Sequence, residues 1–587
     1  MLKKRTAVFV VFCAAALTVV GWALDWGVSV SADYVHEIRK NIEVFGLIYQ
    51  EISRKYVDPV DPDKFMKAGI NGMLGTLDPY TVLIEKEDNA QLQIITHGKY
   101  GGLGMSISVR DGLATVIEQP YEGTPALKAG IREGDRIIEV DGIATKDMNV
   151  EEVASRLRGE VGTAVDLKVM REGEPVPLLF HLIRAEITIH DVTYSGIIRD
   201  GIGYVKLSRF SKNAGYEVNQ AIRDLKDQGL KALILDLRNN PGGLLEAAVE
   251  VAENFVKKGE AIVSTKGRVE GSDKAYRSEK DPALGNLPLV VLVNGLSASA
   301  SEIVAGAIQD IDRGVIMGET TYGKGLVQTV VSLTRDSALK ITTAKYYVPS
   351  GRCIQKEQPH PDEQADLLAS AAEDEKLTDV RLEAESSKSA ENNVKASSEV
   401  FRTKNGREVY GGGGIKPDIE TLNQKLNRFE SSLRRKAMTF NFAVTYASKH
   451  PTTKQRDFKL DDNVVAEFRQ FLREKNFTYT SQSELQLAEL KKTAESEGYL
   501  ADLQPSLTTL EQALQHEKDD DFTKSQDFIR QELEREIAGK LFGSKAQVEV
   551  TFDDDPAIKK ALEVLQNVDT YNAVLSGQET KPQTSRN

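Results

Sequence analysis

Cysteine is almost absent from this sequence. The 587 residues contain two cysteines, Cys13 in an N-terminal apolar run and Cys353 far downstream. Because Cys353 has no intrachain partner once the N-terminus is removed or held in a bilayer, a disulfide framework is excluded. Cysteine-rich zinc sites are excluded as well, and the seven histidines show no ligand spacing such as HExxH. The sequence therefore predicts no metal site.

Long runs of lysine or arginine are also lacking. The formal net charge is −13 at pH 7, which argues against nucleic acid as a partner, because phosphate binding needs a basic surface. Hydrophobic residues make up 40% and charged residues 28% of the chain, as is ordinary for a globular protein. A chain of 587 residues is too long to fold around a single hydrophobic core, so we expect three or four domains.

A long uncharged apolar run lies at the N-terminus. Lys3, Lys4 and Arg5 precede a stretch without charge from Ala7 to Leu24. This order is typical of a secretory signal peptide or a signal anchor, which we assign to residues 1–32. The sequence leaves cleavage of this segment open. We expect the remaining chain outside the cytoplasm, in the periplasm or cell envelope, with anchoring to the inner membrane if the signal is retained.

The pattern along the chain changes several times after this leader. Strands and helices alternate from about 200 to 350, and two of the strands are apolar along most of their length, which predicts an α/β core with a largely parallel sheet. An acidic segment poor in aromatic residues follows, and its composition predicts a disordered or loosely helical insertion. The predicted organisation is a helical region at 33–98, a mostly-β domain at 99–186, the core at 187–358 completed by 408–424, the disordered insertion at 359–407, and a helical C-terminal domain at 425–587.

One loop of the predicted core is rich in serine. Ser297-Ala298-Ser299-Ala300-Ser301-Glu302 follows a buried strand and opens a helix. A serine on such a turn can face the cleft at the carboxyl ends of parallel strands. The free N–H groups of the helix N-terminus suit an alkoxide nucleophile and an oxyanion. Serine is also a favoured N-cap, so this segment by itself leaves catalysis and capping open.

A second loop of the core places a lysine between two glycines, in Tyr322-Gly323-Lys324-Gly325-Leu326-Val327-Gln328. A solvated turn lysine would show the same pattern, and a phosphate-binding loop is excluded because position 325 is not Ser or Thr. No histidine occurs between His190 and His360, so a serine in this core lacks an internal histidine base. A lysine can serve instead if burial lowers its pKa from about 10.4.

An ordered set of motifs resembles the carboxyl-terminal processing peptidases, also called tail-specific proteases or peptidase family S41. The resemblance spans most of the chain between positions 40 and 420. Its motifs are Leu77-Asp78-Pro79-Tyr80, Asp236-Leu237-Arg238-Asn239-Asn240-Pro241-Gly242-Gly243, the SASASE run, Gly323-Lys324-Gly325 with Gln328, Tyr347-Val348-Pro349-Ser350-Gly351-Arg352, and Gly413-Gly414-Ile415-Lys416-Pro417-Asp418. It implies a multidomain fold: a ClpP/crotonase-like α/β peptidase core with an inserted PDZ domain and helical N- and C-terminal regions.

The resemblance also implies roles for individual residues. Ser299 would be the nucleophile, Lys324 the general base, and Gln328 the residue that orients the lysine. The oxyanion hole would consist of the backbone N–H of Ala300 together with that of one glycine of the Asn240-Pro241-Gly242-Gly243 turn. Of the two glycines, Gly242 is preferred to Gly243. The expected roles of the neighbouring polar residues are structural: Ser297, Ser301, Glu302, Asp236 and Arg238. The resulting serine endopeptidase would need neither a metal nor an organic cofactor.

Residues 99–186 resemble a PDZ domain. Such domains add a peptide strand to a sheet edge and hold a terminal carboxylate on backbone N–H groups. The loop Gly102-Leu103-Gly104-Met105 matches the carboxylate-binding position, and Leu103 and Met105 would line the pocket for the last side chain. A glycine-rich hairpin entry is the alternative interpretation of these residues alone. The resemblance implies protein or peptide C-termini as partners.

Two other functions fit parts of the sequence. A non-catalytic PDZ scaffold, or a chaperone-like protein of the envelope, would bind tails without cutting them. An acyl-transfer enzyme acting on a small thioester or ester could use the same type of core, but a small substrate needs no tail-binding domain. The sequence leaves open whether the chain forms homo-oligomers, whether the PDZ domain gates the site, and what the C-terminal helices do.

Overall fold

The computed structural model describes most of the chain after the N-terminal apolar run. The described residues are 32–85, 94, 96, 98–334, 337–356, 399–421, 426–450, 458 and 460–577. The predicted signal segment therefore lies almost wholly outside the described residues, as does most of the predicted insertion. In the described ranges, no helix combines the length and apolar character needed to cross a bilayer.

Two helices and one strand precede the β domain: α1 (Ala32–Lys55), α2 (Pro62–Gly75) and β1 (Val82–Glu85). The side chain of Asp61 caps α2 by accepting hydrogen bonds from two backbone N–H groups. β1 pairs antiparallel with a strand at 337–347. The region predicted as helical at 33–98 thus also contains a strand, which the sequence does not reveal because a four-residue strand with a distant partner has no periodicity of its own.

A small β domain is inserted between β1 and the core. Its entry and exit strands, β2 (Lys99–Gly102) and β9 (Ala185–Thr188), pair antiparallel, so the two connections lie side by side. Between them a sheet has the strand order β3-β4-β5-β7-β8, with β6 beside β5. The elements are β3 (Ile107–Arg110), β4 (Leu113–Val116), α3 (Pro125–Lys128), β5 (Arg136–Val140), β6 (Ile143–Ala144), α4 (Val150–Leu157), β7 (Ala164–Met170) and β8 (Leu178–Ile183).

The core is a six-stranded sheet with the order β10-β11-β12-β15-β16-β21. The first pair is antiparallel and the other four pairs are parallel. Every residue of β12 and β15 is buried, which confirms the predicted central strands. The elements are β10 (Val192–Arg199), β11 (Ile202–Leu207), α5 (Ala214–Asp227), β12 (Ala232–Asp236), α6 (Leu245–Glu253), β15 (Leu289–Val293), α7 (Ala300–Asp310), β16 (Val315–Gly318) and β21 (Ile419–Glu420).

A second sheet packs beside the core and is built from distant segments. Its order is β1-β18-β13-β14, with β17 also paired to β18. Its remaining strands are β13 (Ala261–Gly267), β14 (Lys274–Arg277), β17 (Leu326–Ser332) and β18 (Ser337–Tyr347). Because Lys324 comes two residues before β17, this sheet fixes the position of the lysine loop.

The C-terminal region is helical, as predicted, but its last helices belong to the core. The helices are α8 (Arg428–Arg435), α9 (Met438–Lys449), α10 (Asp462–Glu474), α11 (Gln482–Ser496), α12 (Leu500–Lys524), α13 (Gln526–Phe542), α14 (Ser544–Glu549), α15 (Pro556–Gln566) and α16 (Val568–Ser576). α5, α6 and α7 pack in one apolar cluster with the sheet. α15 and α16 share a second cluster with the same strands. The predicted separate domain at 425–587 is thus corrected: its last part forms a layer of the core.

The end of the predicted disordered insertion is ordered. β19 (Val400–Arg402) pairs antiparallel with β20 (Glu408–Tyr410). Arg407 fixes this hairpin to the core by donating to Asp312 at 2.7 Å and to Asp418 at 2.5 Å. The composition of 359–407 did not reveal these ion pairs, because both partners of Arg407 lie outside the segment. Residues 359–398 are outside the described part of the chain.

Candidate functional site

Ser299 lies at the sharp turn between β15 and α7. Its backbone has φ 54° and ψ −112°, in a region that residues with side chains rarely adopt. β12 and β15 are neighbouring parallel strands, so the loops that follow them meet at one edge of the sheet. Strain of this kind persists where surrounding contacts determine the backbone, and it is frequent at functional sites.

The other two serines of the SASASE run hold the turn together. The Ser297 hydroxyl donates to the Leu237 carbonyl at 2.8 Å, and the Ser301 hydroxyl donates to the Asn240 carbonyl at 2.9 Å. Both side chains are fully buried. The expected structural role of these residues is confirmed, and their hydrogen bonds attach the Ser299 turn to the loop after β12.

Gly242 packs directly against the Ser299 turn. A Cβ at position 242 would lie 2.6 Å from the Ala298 carbonyl oxygen and 2.9 Å from the Ser299 Cβ, so a side chain does not fit. The Gly242 N–H donates to Asn240 Oδ1 at 2.9 Å. In the described structure no acceptor contacts the N–H of Gly243 or of Ala300. The hydrogen bonding therefore favours Gly243 over Gly242 as an oxyanion donor, contrary to the sequence-based preference.

Glu302 connects the serine loop to the lysine loop. Its carboxylate is fully buried and accepts hydrogen bonds from the Ser299, Gly323 and Lys324 N–H groups at 2.8, 2.7 and 2.9 Å, and from the Thr321 hydroxyl at 2.6 Å. Burial raises the pKa of Glu302 to about 7, and these hydrogen bonds act in the opposite direction. The predicted structural role thus includes holding the backbone of both candidate catalytic residues.

Lys324 is half-buried, and its ammonium lies 4.5 Å from the centre of the Tyr80 ring. Burial lowers the pKa of Lys324, and the like charge of Lys340 adds to this effect. Within the described residues Lys324 forms no ion pair and no hydrogen bond to the Ser299 side chain. The buried Tyr346 hydroxyl donates to both loops, at the Ser299 carbonyl (3.2 Å) and at the Lys324 carbonyl.

Gln328 lies on β17, where its side-chain amide donates to the Thr342 hydroxyl at 3.4 Å. The structure shows no hydrogen bond between Gln328 and Lys324, so the predicted orienting contact is not formed in this state. Thr342 is also bonded through its N–H to the Thr81 hydroxyl at 3.2 Å. Gln328 therefore belongs to the same layer as the N-terminal turn that carries Tyr80.

Sequence reasoning missed the part that Tyr80 and Tyr346 play in the site. Asp78 caps the turn 78–81 by accepting from the Tyr80 and Thr81 N–H groups, both at 2.8 Å. This turn gives the Leu77-Asp78-Pro79-Tyr80 motif its structural role. The turn is remote in sequence from Lys324. The one sequence signal for its place in the site is that its motif belongs to the ordered set shared with the resembled family.

The predicted peptide-binding loop lies beside an open strand edge. Gly104 has φ +79°, and a Cβ there would lie 2.3 Å from the Thr124 side chain, so glycine is required. Leu103 is buried in the core of the β domain, and Met105 packs against that core while half-exposed. In the described sheet, β3 pairs with β4 alone and α4 packs against it. The loop Gly102–Met105 thus leads into a groove edge that can accept a further strand.

Comparison with known proteins gives matches over all three folded parts. The family models described as Peptidase family S41, PDZ domain, and Probable PDZ-protease, C-terminal helical domain match residues 201–365, 116–171 and 429–565. A carboxy-terminal-processing protease of Bartonella bacilliformis is 37% identical over 59% of this chain and 78% of its own length. A carboxyl-terminal-processing protease of Synechocystis is 38% identical over 57% of this chain and 79% of its own length.

A solved structure, the photosystem II D1 C-terminal processing protease, is 34% identical, with coverage of 53% of this chain and 90% of that chain and a TM-score of 0.31. The fold and the matched sequences define a serine-type peptidase with an inserted PDZ domain. The chain belongs to the carboxy-terminal processing protease family, peptidase family S41.

Proposed function

We propose that this protein is a serine endopeptidase in which Ser299 is the nucleophile and Lys324 the general base. The observation that carries the proposal is the joint anchoring of both residues by Glu302, which binds the backbone N–H groups of Ser299 and Lys324. The lowered pKa of Lys324 supports it, because a neutral amine is needed to remove a hydroxyl proton. We expect the Lys324 amine to reach the Ser299 hydroxyl when substrate is bound, because catalytic hydrogen bonds are often long or poorly aligned in the free enzyme.

The reaction follows from these positions. Neutral Lys324 takes the Ser299 hydroxyl proton while the oxygen attacks the peptide carbonyl carbon. The N–H groups of Ala300 and Gly243 stabilise the oxyanion. Lys324 then passes its proton to the leaving amine as the C–N bond breaks. Water releases the acyl group from Ser299, with Lys324 as the base, and no metal or organic cofactor takes part.

The PDZ domain would select the substrate. A protein C-terminus would add as a strand along β3, with its carboxylate on the backbone of the Gly102–Met105 loop. β2 and β9 place both connections of this domain side by side, so the domain that would hold the tail is joined to the core at one place. The proposed partners are therefore protein or peptide C-termini.

The proposed location is the periplasm or cell envelope. The basic residues and apolar run of segment 1–32 support secretion, with anchoring in the inner membrane if the segment is not cleaved. Fractionation of cells that produce the full chain, with and without residues 1–32, tests this proposal. Recovery of both forms from the cytoplasm would contradict it.

The function is tested by digestion of a set of unstructured substrate proteins that differ from one another only in their last three residues. The products are identified by mass spectrometry. Ser299→Ala and Lys324→Ala should abolish cleavage, whereas the exposed Lys258→Ala should cleave as the wild type does. Binding of a labelled tail peptide should persist in Ser299→Ala. Undiminished proteolysis by either active-site variant would remove the assignment, and tail binding without cleavage by the wild type would support the scaffold alternative.

A further inference from the structure

An ion pair joins the C-terminal helices to the loop beside Ser299. Arg238 Nη1 donates to Asp555 Oδ2 at 2.7 Å, and both side chains are largely shielded from solvent, with 13% and 19% exposed. Asp555 precedes α15 and lies within the segment matched by the C-terminal helical domain. Arg238 lies in the Asp236–Gly243 motif of the core. The contact therefore connects two regions separated by more than half of the chain.

Arg238 passes this contact to the base of the loop 237–243. Its guanidinium donates to both oxygens of the fully buried Asp236, with Nη2 at 2.7 Å, and its own N–H donates to the same carboxylate at 2.9 Å. Bidentate pairing of a planar guanidinium fixes orientation as well as distance. The arginine is thus held between one carboxylate of the core and one carboxylate of the C-terminal helices.

The other contacts of the loop come from the core itself. Asn239 N–H donates to Asn294 Oδ1 at 2.9 Å, the Asn240 carbonyl accepts from Ser301, and Gly243 lies against Phe210. Asp555 therefore supplies the contact made to this loop by the C-terminal helices. Since Gly242 packs against Ser299, a shift of the loop changes the distance between the oxyanion donors and the nucleophile.

We propose that Asp555 is a positioning residue for catalysis: through Arg238 it fixes the loop 237–243 at the spacing that the oxyanion requires. This inference rests on the proposed function. The C-terminal helices then contribute to the rate of acylation as well as to stability. The apolar packing of α15 on the core sheet keeps Asp555 in place, and the ion pair transmits that position to the loop.

Asp555 has two separable roles, which makes the proposal testable. Its Oδ1 caps α15 by accepting from the Ala557 and Ile558 N–H groups at 2.9 and 3.1 Å, whereas Oδ2 binds Arg238. Asparagine and serine are equally good N-caps, but neither provides a carboxylate for the guanidinium. Asp555→Asn and Asp555→Ser should therefore keep the helix and lose the contact to Arg238.

The matched control is Asp461→Asn. Asp461 caps α10 in the same way, accepting from the Asn463 and Val464 N–H groups at 3.0 and 3.1 Å. Each variant of the full chain is assayed with a small chromogenic ester, which needs no PDZ domain, and with a tail-bearing protein substrate. We expect Asp555→Asn to lower kcat about tenfold for both substrates, less than the loss caused by deletion of an oxyanion donor. KM and the affinity for a labelled tail peptide should stay within about twofold.

A double-mutant test separates positioning from stability. If Asp555 acted only on stability, the effects of Asp555→Asn and of an Arg238 substitution on kcat would be additive. In an Arg238→Lys background, which keeps the charge but removes the planar fork, Asp555→Asn should change kcat by about twofold or less. A kcat for Asp555→Asn within twofold of the wild type, an equal loss in Asp461→Asn, or full additivity with Arg238→Lys would each overturn the proposal. If Asp555→Asn lowers the Tm markedly, Asp555→Ser assayed well below its Tm decides.

The two proposals fail in different ways. If Ser299→Ala hydrolyses the ester and the protein as fast as the wild type does, the Ser–Lys function is wrong. If Ser299→Ala is inactive and Asp555→Asn is fully active, only the positioning role of Asp555 is wrong.

Discussion

The C-terminal helices and the PDZ domain are joined to the peptidase core in different ways. α15 and α16 bury an apolar face against the core sheet, with Ile558, Ala561 and Leu562 in one cluster with residues of the sheet and α15 in contact with β15 and β16. The PDZ domain is joined through the β2–β9 pair and contacts the helical region through apolar as well as polar groups, with Gly134 against the Val444 side chain and Arg110 5.7 Å from the centre of the Phe440 ring. Among the polar groups, Lys540 donates to Glu133 of the PDZ domain at 2.8 Å and to Glu536 at 2.6 Å, with all three side chains largely buried.

This difference concerns the kind of interaction that holds each region to the rest of the protein. Apolar burial at about 25 cal/mol per Å² makes the C-terminal layer inseparable from the core. A buried ion-pair cluster gives orientation with little net stabilisation, because desolvation offsets much of the attraction. The ion-pair cluster thus orients the PDZ domain and adds little net stability, whereas the C-terminal layer is held by apolar burial.

The largest effect is expected when a buried side chain is truncated, either in the C-terminal layer or in the PDZ domain. Ile558→Ala should destabilise the whole protein by roughly 3 kcal/mol, because it leaves a cavity between α15 and the sheet. The urea concentration at the midpoint of unfolding and the rate of ester hydrolysis should both decrease. The matched truncation Leu167→Ala, in the PDZ core, should reduce tail binding and leave ester hydrolysis near the wild-type rate. Equal loss of ester hydrolysis in both variants would contradict the distinction.

Lys540→Met should loosen the PDZ docking. Removal of the cation leaves Glu133 buried without the ammonium that pairs with it, while Glu536 keeps its ion pair with Arg535, and the cost should be on the order of 3 kcal/mol. Hydrogen exchange should rise in segment 130–135 while the core sheet stays protected. The exposed pair Lys560–Glu563 provides the control, since Lys560→Met should cost less than about 1 kcal/mol. Unchanged exchange at 130–135 would show that Lys540 does not hold the domain.

The pH dependence of stability should reveal Glu302 within the core. Its folded pKa of about 7 is above the unfolded value of 4.5, so the folded state binds the proton more tightly. The contribution of this group to stability is therefore present below about pH 4.5 and is lost as the pH rises to about 7. Thermal unfolding of Glu302→Gln should lack this part of the pH slope. An identical slope in both proteins would mean that another group titrates.

The smallest expected effect concerns Tyr80, which reaches the site from the N-terminal region. Burial is the main cause of the lowered pKa of Lys324, so Tyr80→Ala should admit water and move the ascending limb of kcat/KM to higher pH by about half a unit. Tyr80→Phe keeps the ring and should move it little. A larger shift in Tyr80→Phe would indicate that the contact between the Tyr80 and Tyr322 hydroxyls, 3.4 Å apart, matters more than the ring.

Much of the core could be predicted because its signals are local. β12 and β15 are the two apolar strands that the sequence predicts for the core, and every residue of both is buried. The helix α4 has a capping box, with Asn149 and Glu152 bonded to each other's backbone, which explains its definite start. β1 and the 400–410 hairpin were missed because their stability comes from partners far along the chain.

The sequence by itself determined the order of strands and helices, the class of peptidase that its motifs resemble, and the residue types available for chemistry. Only the tertiary structure decided that Glu302 holds both candidate loops, that Tyr80 covers Lys324, that Gly243 rather than Gly242 has a free N–H, and that Asp555 reaches Arg238. The physical reason is that hydrophobic periodicity and capping act over a few residues. Burial, ion pairing and hydrogen-bond competition depend on which distant segments the fold brings together.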